Sequence, residues 1–223
     1  MKIATQIYEQ YNIMPSLQLH QLRVAAVAKL ISDNFDPTAG GPVNTHDVVL
    51  ACLFHDMGNI IKSDLTYFPE FVEPEGLEYW EKIKADFVLK YGENHHKANV
   101  MIAKDLGLPP TSIALIDSIG FSQLEFVVAD DSFERKIMQY ADIRVGPHGI
   151  LPLKQRLEEG RKRYNTTRKA RMYYESDEEF EHLAQFAGEL EKQVSEHMHI
   201  TPDKIDDTAI KPIIEQLRTC AVA

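Results

Sequence analysis

The sequence predicts an all-α protein: a helical bundle followed by a C-terminal helical extension. Three observations carry that expectation. Apolar residues recur at three- and four-residue spacing in nearly every segment, whereas strict alternation is almost absent. Pro15, Pro109 and Pro110 fall where helices should open or break. A chain of 223 residues with 44% hydrophobic and 26% charged residues can bury a proper core, which excludes wholesale disorder and fibrous classes.

The first helix is expected from about Ile3 to Tyr11. Pro15 and Ser16 open a second, in which Leu19, Leu22, Ala26, Val27 and Leu30 form the inward stripe. Residues Asn34 to Asn44, with two prolines and two glycines, read as a loop. Thr45 is the expected amino-terminal cap of a third helix, HDVVLACLFHDMGN, apolar around most of its circumference and therefore central; Gly58 and Asn59 should end it. Ile60 to Gly76 reads as a long surface crossing suited to a lid. Further helices are expected over Leu77 to Lys90, His95 to Leu106, Pro110 to Ser118 and Ser132 to Ile143. The core, residues 1–147, should then give way to the extension, 148–223. In that extension Leu153 to Tyr164 is basic, and Glu175 to His197 is acidic and amphipathic.

The formal charge of −10 argues against general nucleic-acid binding, which depends on clustered Lys and Arg. It leaves a small anionic substrate open, because a bound cation supplies local positive charge whatever the global balance. No stretch approaches a membrane span or a signal-peptide core, so the expectation is a cytoplasmic protein without membrane attachment. Two unpatterned cysteines, Cys52 and Cys220, give neither a disulfide framework nor a thiolate zinc site.

The candidate chemistry lies in three segments. His55 and Asp56 are adjacent at the end of the most apolar helix, placing two metal-competent groups where an apolar wall opens. His20 borders the apolar stripe of the earlier helix. Asp142 follows the helical pattern KIMQYAD, where burying an unpaired carboxylate is costly and a cation would offset the cost. Each residue alone reads equally well as a hydrogen-bonded structural group, and Asp142 as a partner of Arg144 or Arg23.

In combination, LQLHQLRVAAVAKL, VVLACLFHDMGNI and MQYADIRVGP resemble the metal-binding segments of the HD-domain superfamily of metal-dependent phosphohydrolases, over about Leu17 to Gly146. That resemblance implies an HD-like helical bundle with His20, His55, Asp56 and Asp142 as ligands. It also implies metal-activated water as the nucleophile and a small phosphorylated substrate such as a nucleotide, with His55 and Asp56 at the catalytic centre. Two imidazoles and two carboxylates suit one divalent Mn, Fe, Co, Ni or Zn ion better than Ca or Mg.

Asn59 stands where many family members carry Lys, so Lys62, Arg23 and Arg144 are the candidate phosphate contacts. His95 resembles the first extra histidine of two-metal branches, yet ALIDSIGFSQ offers no further ones, so His95 is assigned to substrate. The run KQRLEEGRKRYNTTRKARMYY reads as a solvated helix face rather than an RNA site. Two rival functions stay open: a diiron oxygenase on the same scaffold, and a non-catalytic nucleotide sensor. A homo-oligomer is compatible with all three.

Overall fold

The computed structural model describes residues 2–166 and 176–222. It is almost entirely helical, as the apolar spacing predicts. Helix α1 spans Ala4–Gln10, α2 Pro15–Asp33, α3 Pro37–Gly40 and α4 Thr45–Phe54. After the crossing come α5 (Leu77–Tyr91), α6 (His95–Asp105), α7 (Pro110–Ser118), α8 (Leu124–Ala129) and α9 (Phe133–Arg144). The extension contains α10 (Leu153–Thr166), α11 (Asp177–Ser195) and α12 (Asp207–Arg218). Among the described residues no single helix is long and apolar enough to cross a membrane.

Helix α4 is the axis of the bundle. Every residue from Asp47 to Phe54 is buried, which fits its all-round apolar sequence, and the helix packs against α2, α7 and α9. Its start differs from expectation. Asn44, not Thr45, is the cap: the Asn44 side chain accepts from the Asp47 backbone N–H at 3.2 Å, and Thr45 is already helical. Asn94, Ser132, Ser176 and Asp206 cap α6, α9, α11 and α12 in the same way.

Three further departures have local causes. The loop at 34–44 contains the single turn α3, opened by the Asp36 side chain and Pro37. The crossing is not structureless: it begins and continues in 3-10 turns at Asn59–Lys62 and Pro69–Phe71. Helix α12 is not among the expected helices; it carries Pro212 in its interior, and Ile210, Ile214 and Leu217 bury one amphipathic face.

The extension shares the core. Helices α10 and α11 lie on α9, α11 also on α8, and α12 on α2, so that apolar residues from both parts form one continuous cluster. A two-stranded antiparallel clip joins Lys2–Ile3 (β1) to Ala221–Val222 (β2). Arg144 is the chief polar rivet: buried, it donates to the Tyr140 hydroxyl at 2.6 Å and to the carbonyls of Leu151 (2.6 Å), Pro202 (3.2 Å) and Ile205 (3.1 Å).

Candidate metal centre

Three helices bring the four candidate ligands together. His20 comes from the first half of α2, His55 and Asp56 from the turn that ends α4, and Asp142 from the last turn of α9. His20 Nε2 lies 3.5 Å from Asp56 Oδ2 and 3.3 Å from Asp142 Oδ1. His55 Nε2 lies 3.6 and 3.4 Å from the same two atoms. Ligand atoms of His20, His55 and Asp56 all lie within 4.8 Å of one another, and Asp142 closes the group through its contacts with both imidazoles.

The turn carrying His55 and Asp56 is held from behind by buried amides. The Gln21 side-chain oxygen accepts from the Asp56 backbone N–H at 3.2 Å, and Asn99 Oδ1 accepts from the Gly58 N–H at 2.6 Å. Gly58 is required by close approach rather than by backbone conformation. A Cβ there would sit 2.7 Å from the Ala98 Cβ and 3.1 Å from the His95 carbonyl. Helix α6 therefore presses directly on the motif turn.

These surroundings set protonation. His55 donates its Nδ1–H to the Cys52 carbonyl at 2.7 Å, which turns Nε2 toward the carboxylates. Burial opposes charging His55, but the Asp56 charge and the Asp142 hydrogen bond outweigh it and push the imidazole up to about 9. His20 moves up through the same contest between burial and its bonds to Asp142 and Asp56. Burial would raise Asp56 and Asp142, yet the facing imidazoles hold both well below the usual carboxylate range.

The donor set fits a first-row divalent cation. Such an ion takes N and O ligands at about 2.1 Å, so neighbouring donors stand about 3.0 to 3.4 Å apart. The four observed separations, 3.3 to 3.6 Å, are close to that edge length. The His55 Nε2 atom is fully enclosed, and its contacts to the two carboxylates are long at 3.4 and 3.6 Å, as expected of donors spaced around an ion rather than bonded to one another.

The cluster opens into a cavity of about 480 Å³, walled by Lys62 and His95, by Tyr67, Phe68 and Phe71 of the crossing, and by α10. Burial and the neighbouring Lys62 charge push His95 down to about 4, so it is a neutral imidazole at pH 7. His96 instead faces Asp117 at 3.1 Å.

Arg23 and Arg144 do not reach this cavity, which corrects their assignment as phosphate contacts. Arg23 Nε pairs with Asp207 at 3.4 Å and its Nη2 donates to the His148 carbonyl, while Arg144 is consumed by the rivet described above. Sequence reading missed Gln21 and Asn99, which carry no motif, and missed α10 as a wall. The available signal for α10 was its basic run, read as solvated; residues 167–174 of that run lie outside the described residues.

An all-helical bundle converging two imidazoles and two carboxylates on the wall of a mixed polar and apolar cavity defines a class of metal-binding scaffold. The family model for the HD domain matches residues 18–143, more than half of the chain, and the protein belongs to that family. HD domains commonly bind divalent metals and act as hydrolases. Comparison with curated proteins and with solved structures finds no match.

Proposed function

We propose that this HD-domain protein is a mononuclear metal-dependent phosphohydrolase acting on a nucleotide or another small phosphorylated metabolite. The observation that carries the reading is the convergence of His20, His55, Asp56 and Asp142 on one point in the cavity wall. Held by these four residues, a Mn, Fe, Co, Ni or Zn ion would lower the pKa of bound water and offset charge developing on the phosphoryl group.

The protein's own contributions follow from position. The bond from His55 Nδ1 to Cys52 fixes the ring so that Nε2 stays a donor to the centre. Asp56, fixed through Gln21 and facing the cavity, orients the attacking water. Lys62 sets a positive charge at the cavity wall close enough to depress Asp56 and His95, where it can meet a phosphoryl oxygen. The aromatic side chains of the crossing exclude bulk water from that end, which strengthens every charge interaction inside.

Elemental analysis and phosphate release, measured together on wild type and Asp142→Ala, test this. About one transition metal per chain, with both metal and phosphate release falling at least a thousandfold or to background in the variant, is expected. Undiminished hydrolysis in Asp142→Ala sinks the assignment. Two irons per chain with oxygen-dependent turnover would replace hydrolysis by oxidation, and binding without turnover would leave a sensor.

A further inference from the structure

Helix α10 lies wholly beyond the residues that the HD family model matches, yet it builds one side of the cavity. Arg156, Gly160 and Arg163 all line it. Their spacing, four residues and then three, puts them on one face of the helix, so that face looks into the same space as the His/Asp cluster.

Two features distinguish this face from a solvated basic helix. Both arginine side chains are largely enclosed, with 16% and 20% of their surface exposed. Their planar heads are also held in place: Arg156 donates to Glu159 at 3.0 Å and to the Val145 carbonyl at 2.9 Å, and Arg163 donates to the other Glu159 oxygen at 2.8 Å. Arg161 behaves differently. It is bound to Asp177 and Glu181 and lies 4.8 Å over the Phe180 ring, tying α10 to α11.

Gly160 supplies the second observation. A glycine inside a helix is destabilising relative to alanine, and this one is buried on the cavity lining between the two arginines. On the cavity lining it stands between two guanidinium groups, with no side chain of its own to cover the helix backbone there. Guanidinium forks match phosphate oxygens in pairs.

We propose that this face of α10 is a second phosphate subsite, centred on Gly160 between Arg156 and Arg163, so that the preferred substrate carries two separate phosphate groups. One phosphoester would sit at the His/Asp cluster and the other on α10. The assignment of the first group rests on the hydrolase reading; the subsite itself does not.

The test therefore has two arms on the full chain. Inorganic phosphate is titrated against thermal unfolding of His55→Ala, in which the metal-centred phosphate position is lost, with and without Arg163→Gln. Phosphate is expected to raise the melting temperature of His55→Ala and to lose most of that effect when Arg163→Gln is added, while Arg163→Lys, which keeps the charge, retains at least half. No stabilisation by phosphate in His55→Ala, or equal stabilisation after Arg163→Gln, overturns the subsite. In the second arm, kcat/KM is compared for a nucleoside bisphosphate and the matching monophosphate. Arg163→Gln is expected to cut the preference for the bisphosphate at least tenfold; an unchanged preference overturns the proposal. Arg163-dependent phosphate binding with no hydrolysis by wild type would leave the subsite standing and remove the hydrolase reading.

Discussion

The imidazoles of His20 and His55 and the imidazole of His95 line the same cavity on adjoining walls, and they sit in opposite electrostatic settings. His20 and His55 look at two carboxylates, which raise their affinity for a proton and, by the same electrostatics, for a cation. His95 looks at Lys62, which joins burial in keeping it neutral. One wall attracts positive charge and the other repels it. The Lys62 charge opposes a second cation beside His95.

The largest effect expected from this asymmetry appears in the metal-free protein as pH changes. His55 has a folded pKa of about 9, above the unfolded value near 6.5, so its contribution is complete below pH 6.5 and is lost as pH rises through 9. For so enclosed a group the loss is at most about 3 kcal/mol. His95 has the opposite sign: at about 4 its folded pKa lies below the unfolded value, so stability falls as pH drops from 6.5 toward 4. Its effect is smaller because the ring is only partly enclosed. Urea denaturation of chelator-treated protein should give the highest midpoint near pH 6 to 6.5. The decline toward pH 9.5 should shrink in His55→Gln to the part that His20 contributes, and a wild-type midpoint that is flat over that range would break the comparison. Loading the site with metal should reverse the trend between pH 6 and 8, because the ligands must shed protons to bind it.

The seam between the two walls is Gly58, and filling it tests whether they are one rigid unit. Gly58→Ala places a methyl 2.7 Å from Ala98 and against the Asn99 oxygen that holds the Gly58 amide. The expected cost is about 1 to 3 kcal/mol of stability, read by the same denaturation, together with weaker metal retention because Asp56 moves with the turn. A variant with unchanged stability and metal content would show that α6 does not brace the motif.

The four candidate ligands were legible because each interrupts an apolar helical pattern and the three segments together resemble the HD motif. The bundle was legible from the same periodicity. What the sequence hid was direction. Arg144 stands two residues after Asp142, about 200° around the helix, so a residue that looks adjacent to the ligand faces the extension instead. Arg23 is one turn from His20, but Asp207, at the start of the distant helix α12, claims it. Gln21 and Asn99 are ordinary amides in apolar helices, and only the folded contacts reveal that one holds Asp56 and the other Gly58. The arginines of α10 were visible as charge, but their enclosure depends on how α10 lies against α9.

The smallest expected effect is the most discriminating for the two walls. His95→Asn removes the neutral imidazole beside Lys62 while keeping a polar group of similar reach. If His95 only meets substrate, the variant should retain full metal content and lose kcat/KM by about tenfold or less, equivalent to about 1.4 kcal/mol of transition-state binding. The loss should fall mainly on KM, since a wall contact serves the bound substrate and the transition state alike. A metal ligand behaves otherwise: its removal lowers occupancy and takes kcat with it. Elemental analysis alongside steady-state kinetics separates the two, and a drop from two metals to one on replacing His95 would make the second wall part of the centre and end the distinction between them.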